Sequence, residues 1–234
     1  MTETADVMKL RTPILISLLI IAAMLVITVW GWVTIPPGQQ VPTHWDINGQ
    51  IDGYEQKEVA LLLMPGISVV LTILLAGLTR IDPRRSNLAK SAKLYVVSWV
   101  GGLLILLAAH FMVVATALGL AIPVVKIIQP AVGLLFVVIG NYLGKTRSNF
   151  FAGVRTPWTL SSDYSWEKTH RLAGRLFIAT GLLTIAASLT VGSPWDIGIL
   201  VVGALTAALV SVVMSYFYWR RDPDRDTGKL ANGA

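Results

Sequence analysis

Six stretches of the chain are long and almost wholly apolar: 14–33, 59–79, 94–118, 122–143, 172–192 and 195–217. About 20 apolar residues in a helix cross the roughly 30 Å hydrocarbon layer of a bilayer. Lipid offers no hydrogen bonds, so a spanning segment of this length must satisfy its backbone internally, as a helix does. A membrane barrel would show many short alternating strands instead, and none is visible. The first run is too long for a signal-peptide core, and Gly31-Trp32-Val33 lacks a small-residue cleavage pattern, so it is expected to remain as an anchor. Composition agrees: 14% of residues are charged, against about a quarter in soluble domains. That excludes an ordinary water-soluble enzyme. The absence of Cys excludes disulfides, thiolate metal sites and a Cys nucleophile.

Loop charge sets the expected orientation, because Lys and Arg collect on the cytoplasmic side. Of the 19 basic residues, all but Lys57 and Lys126 fall in the termini and loops of one side. The expected fold is therefore all-α and polytopic, with six transmembrane helices and both termini cytoplasmic. A pI near 9.7 would point to nucleic acid in a soluble protein. Here the basic residues border membrane spans, so lipids are the expected partner and no direct nucleic-acid contact is expected.

The spans carry few polar landmarks. Pro65 and Pro130 interrupt the second and fourth runs, where a missing N–H kinks a helix unless neighbours compensate. Gly140-x-x-x-Gly144 permits close helix approach. All 13 Asp and Glu residues are read as lying outside the spans, which argues against a carboxylate-based proton pump. His110 and Lys126 are the intramembrane polar groups, the first a packing residue or part of a route, the second able to snorkel. His44, His110 and His170 lie in different layers. No metal site or cofactor is expected.

Two loops carry information. The outer loop, 34–58, bears a formal charge of −3 from Asp46, Asp52, Glu55, Glu58 and Lys57. Asn48-Gly49 and Asp52-Gly53 are turn dipeptides, and Asn-Gly favours a tight hairpin because both residues tolerate positive φ. A small β-hairpin is expected, with 41–46 as its first strand. Candidate ligand-binding residues are His44, Trp45, Asp46, Asn48, Gly49, Asp52 and Gly53. Trp45 is either a binding residue or an interfacial anchor.

The inner loop, 144–171, is long for a connection and too aromatic for a solvated coil. Arg155-Thr156-Pro157-Trp158 is expected to be extended or a turn, because Pro157 biases the residue before it away from helix. Ser161 or Ser162 is the expected cap of a helix that opens with Asp163 and carries Trp166, His170 and Gly174 along one face. Candidate partner-binding or structural residues here are Asn141, Tyr142, Asn149, Phe150, Gly153, Arg155, Thr156, Pro157, Trp158, Trp166, Lys168, Thr169, His170 and Arg171. No Ser-His-Asp order, phosphate loop or H-E-x-x-H motif is present, so no enzymatic chemistry is expected.

These strings resemble the SdpI family of bacterial multi-pass membrane proteins. The likeness rests on Gly140-Asn141-Tyr142-Leu143, on Asn149-Phe150-Phe151-x-Gly153-Val154-Arg155-Thr156-Pro157-Trp158-Thr159-Leu160-Ser161, and on Trp166-x-Lys168-Thr169-His170-Arg171 with Gly174. Pro42-x-His44-Trp45, Gly49 and Asp52-Gly53 are similar to the N-terminal domain of unknown function that often precedes this region. Ile81-Asp82-Pro83-Arg84-Arg85 with Asn87 is similar to the cytoplasmic link between the two parts. The expected organisation is an N-terminal two-helix region, 1–93, with the link at 80–93, an SdpI-like four-helix region, 94–218, and a solvated cytoplasmic tail, 219–234. The resemblance implies a plasma-membrane immunity protein against a secreted toxic peptide, which also signals to a cytoplasmic regulator protein. Two rivals stay open at this point: a transporter or channel for a lipid or small solute using His110, and an enzyme acting on lipid headgroups through His170.

Overall fold

A computed structural model describes residues 8–225 of the chain. Lys229 and the tail beyond residue 225 lie outside the described residues. Six helices are long and apolar enough to cross a membrane. They are α1 (Arg11–Thr34), α2 (Lys57–Ile81), α4 (Ala92–Ala117), α5 (Val124–Leu143), α7 (Asp163–Thr190) and α8 (Trp195–Arg220). A two-stranded antiparallel hairpin, β1 (Gln40–Trp45) and β2 (Ile51–Gln56), joins α1 to α2. Two short helices, α3 (Arg85–Lys90) and α6 (Pro157–Ser161), lie at the opposite end. The chain is a polytopic helical protein, as its apolar runs dictate.

Helices α1, α2 and α4 pack together, α5 packs on α7 and α7 on α8, and α4 also packs on α5. The α5–α7 contact is made by two reciprocal glycine pairs. A Cβ at Gly140 would lie 2.6 Å from the Gly174 carbonyl, and one at Gly174 would lie 2.7 Å from the Gly140 carbonyl. Two turns away, Gly133 and Gly181 face each other in the same manner. Backbones can approach this closely only where side chains are absent. The productive spacing is therefore Gly133 to Gly140 against Gly174 to Gly181. Gly144, paired with Gly140 in the sequence reading, rests against Arg171.

Pro65 illustrates how a missing donor is repaired. Proline at this position leaves the Leu61 carbonyl, four residues earlier, without its helical partner. The Thr28 hydroxyl of α1 donates to that carbonyl at 3.0 Å. Having given its proton there, the same oxygen accepts from His110 Nε2, also at 3.0 Å. His110 is completely buried and joins α4 to α1 and α2 through this chain of bonds.

Two expectations need correction. Asp196 sits in the first turn of α8 and is buried, its Oδ1 accepting from the Ile197 N–H. Not every carboxylate is outside the spans, because a helix N-terminus stabilises an anion locally. The segment after α8 also does not begin as a solvated tail. Asp222 is buried, and Ser162 Oγ donates to its Oδ2.

Candidate functional site

Charge and bonding divide the molecule into a hairpin end and a basic end. At the hairpin end, Lys57 is buried, and its Nζ donates to the Trp32 and Ile35 carbonyls at 2.7 and 2.5 Å. It thus caps the orphan carbonyls at the C-terminus of α1. Gln39 Nε2 donates to the Ala117 carbonyl at the end of α4. Val41 and Ile35 are buried with Leu61 and Val114, and Trp45 packs against this cluster. The hairpin is therefore seated on three helix ends, and Trp45 is turned toward them.

The turn differs from the expected one. Asp46 accepts the backbone N–H groups of Asn48 and Gln50, each at 2.8 Å, and its carbonyl accepts from Gly49 N–H. Gly49 alone takes a positive φ, +79°, while Asn48 does not. The Asp46 side chain supplies the turn bonds, so Asn48 need not enter the left-handed region. The Gln50 N–H bond is the main reason that the Asp46 carboxyl lies below its usual range.

Asp52-Gly53, in contrast, is not a turn; it lies within β2. Gly53 pairs with His44 across the strands, next to register shifts, and a Cβ there would stand 2.8 Å from His44 Cβ. That opening lets His44 Nδ1 meet Asp52 Oδ1 at 2.5 Å on an exposed face. Of the outer candidates, the structure thus gathers His44, Asp52 and Gly53 across the strands and Asp46, Asn48 and Gly49 at the tip. Tyr54, Ile47, Glu55 and Glu58 are exposed beside them. The result is an acidic surface with apolar side chains.

The basic end is built differently. Asn149 is completely buried; its Oδ1 accepts from Phe151 and Ala152 N–H, and its Nδ2 donates to the Arg147 and Ala152 carbonyls. One side chain thereby fixes the turn. Gly153, at φ +118°, lies close against the Nε2 edge of the His170 ring, where a Cβ would collide with Nε2. Val154 N–H donates to His170 Nε2 at 2.9 Å. His170 Nδ1 donates to the Trp166 carbonyl at 2.7 Å, since a carbonyl can only accept. Both ring nitrogens are therefore committed to backbone. The His170 ring stacks on Trp166, whose Nε1 donates to Thr146.

The rest of the loop is capped and clipped. Thr156 is extended, as expected, but Pro157 opens α6 instead of continuing a turn, because proline suits the first position of a helix. Thr156 and Thr159 form a capping box. Ser162 caps α7 by accepting from Ser165 N–H. Trp158 stacks edge-on to Tyr216 of α8. Asn141, Phe150, Arg155, Pro157, Lys168 and Arg171 are exposed, whereas Asn149, Thr156, Trp166, Thr169 and His170 are buried; Tyr142 is half-buried beneath Lys145.

Sequence reasoning missed a matched pair of clips. Asp82 and Asp222 follow α2 and α8, each before a proline. Each Oδ1 accepts the N–H two residues on, from Arg84 and from Asp224. Each Oδ2 reaches the inner loop, accepting from Phe150 N–H in one case and Ser162 Oγ in the other. Ser215 was missed too; it contacts Thr156 Oγ1 and receives Ser165 Oγ at its carbonyl. The repeated Asp-Pro dipeptide was the available signal.

Six membrane-length helices, a small hairpin at one end and a loop woven through buried polar side chains at the other define a multi-pass membrane protein. Residues 145–216 match the SdpI/YfhL protein family, and residues 19–69 match a domain of unknown function, DUF1648. The chain is thus similar to the SdpI/YfhL family over one stretch and to DUF1648 over an upstream one, and it is a multi-pass protein of the bacterial plasma membrane. It is 24% identical to the immunity protein SdpI of Bacillus subtilis (strain 168) over 210 residues, covering 88% of this chain and 96% of that relative. No solved structure matches it.

Proposed function

We propose that the protein is a non-enzymatic immunity protein that protects the bacterium making it from a secreted toxic peptide. The observation that carries this reading is the near end-to-end likeness to the immunity protein of Bacillus subtilis. The hairpin end supports it physically. Its exposed carboxylates and apolar side chains suit an amphipathic, cationic or zwitterionic peptide, with His44, Asp46, Asn48 and Asp52 as contact residues. In this reading the hairpin faces outward and the basic end faces the cytoplasm.

Signalling to a cytoplasmic protein would use the exposed part of the inner loop: Phe150, Arg155, Lys168 and Arg171. Peptide binding can drive such signalling only through unequal affinity for two states of the bundle. The test is survival of a sensitive bacterium expressing the chain when challenged with secreted antimicrobial peptides. Raised survival that falls with His44→Ala plus Asp52→Asn, at equal protein level, supports the proposal. Unchanged survival across the peptide panel, with no peptide retained by the purified protein, refutes it. The chain lacks Cys, so labelling Arg155→Cys in intact cells tests orientation separately.

A further inference from the structure

A groove on the lipid-facing side of the bundle runs between α4 and α5. Its volume is about 450 Å³, and Val97, Gly101, Leu104, Ala131, Leu135 and Val138 are among the residues that line it. It reaches from Val96 to Ala108 on α4, about 18 Å at 1.5 Å per residue. One leaflet is about half of a roughly 30 Å hydrocarbon layer, so the groove is one acyl chain deep. Gly101 forms its floor, where a Cβ would run into the Leu135 side chain.

At the basic end the same two helix faces continue into a second, smaller hollow of about 250 Å³. Lys93 lies one turn before Val97 on α4, Tyr142 lies one turn after Val138 on α5, and Lys145 follows just beyond the end of α5. Lys90, at the end of α3, completes a set of three exposed lysines around the hollow, and among the described residues no carboxylate lines it. The first turn of α4 contains no acidic residue either. Its helix dipole therefore adds positive potential to that of the lysines.

We propose that this paired site holds one anionic phospholipid of the leaflet at the basic end, its phosphate over Lys90, Lys93 and Lys145 and an acyl chain along the α4–α5 groove. Charge selects the occupant: a zwitterionic lipid would fill the groove equally well but gains less from three uncompensated ammonium groups. The site is separate from the hairpin surface, so it stands or falls independently of the immunity reading.

The experiment is native mass spectrometry of the purified full-length chain with phosphatidylglycerol, with phosphatidylcholine of the same acyl chains, and with inorganic phosphate. Phosphatidylglycerol is expected to be retained at least tenfold better than phosphatidylcholine, in keeping with the effect of several basic residues at a membrane surface. Lys90→Gln, Lys93→Gln and Lys145→Gln together should abolish that preference. Removing three other basic residues, by Arg80→Gln, Arg175→Gln and Arg221→Gln, should leave it intact. Leu104→Trp, which fills the groove without touching a charge, should weaken retention of both lipids and provides a test should the triple variant fail to fold. Equal retention of the two lipids, equal loss in the arginine control, full displacement of lipid by inorganic phosphate, or unchanged retention in Leu104→Trp would each overturn the proposal.

Discussion

The two ends of the molecule use polar residues in opposite ways. At the hairpin end, His44 and Asp52 meet on an exposed face and bond mainly to each other. At the basic end, Asn149, Thr159, Trp166 and His170 are almost fully buried, and their polar atoms bond largely to backbone. A buried polar side chain that organises backbone cannot be removed without orphaning its partners. An exposed pair contributes little to stability and is free to meet a ligand. The long inner string that carries the SdpI resemblance is therefore chiefly scaffold, and the shorter outer one is chiefly surface.

Substitutions rank this contrast. Asn149→Ala removes four bonds from a completely buried turn. It should destabilise the protein by about 3 kcal/mol or more, seen as loss of folded protein in thermal melts. Gly174→Val places side-chain atoms against the Gly140 carbonyl and should cost about 1–3 kcal/mol, read by the same melt. Thr28→Val should cost on the order of 1 kcal/mol. Adding Pro65→Ala should recover part of that loss, because residue 65 then has an N–H for the Leu61 carbonyl; a double-mutant cycle measures the coupling. His44→Ala should shift stability by no more than about 0.5 kcal/mol while lowering peptide protection. A large melting shift there would erase the contrast between the ends.

The smallest effect concerns pH. Bonds from the Gln50 and Asn48 N–H groups hold the Asp46 carboxyl below its ordinary pKa of 3.8. A depressed folded-state value means that the turn's contribution is full above the ordinary value and fades as pH falls through the lowered one. The protection factor of the Gln50 amide, its exchange rate set against the intrinsic rate at the same pH, should therefore stay constant from neutrality to about pH 5 and fall only in stronger acid. Asp46→Asn should remove that dependence.

The six spans were legible because a membrane helix satisfies its own backbone, which leaves a local and unmistakable apolar run. The hairpin and the Ser162 cap were legible for a similar reason: turn and cap residues act within a few positions. The turn's internal geometry was not, because Asn-Gly is compatible with two turn types and the Asp46 side chain selects between them. What remained hidden joins residues far apart in the chain. Thr28 and His110 are 82 positions apart, Ser162 and Asp222 are 60, and Thr156 and Ser215 are 59. Neither periodicity nor spacing marks such pairs. Only packing of α8 beside α7 explains why a serine in its last turns matters.

The clip at Asp222 has a consequence for how the chain matures. Ser162, Thr156 and Ser165 all meet partners on or just after α8, which leaves the ribosome after every other described helix. Until that segment arrives, the connection between the fourth and fifth crossings lacks one of its two anchors. Insertion of the final crossing therefore completes the cytoplasm-side architecture proposed here. A reporter fused immediately after Arg220 should trap a half-finished protein, whereas one fused after Arg225 should leave assembly intact.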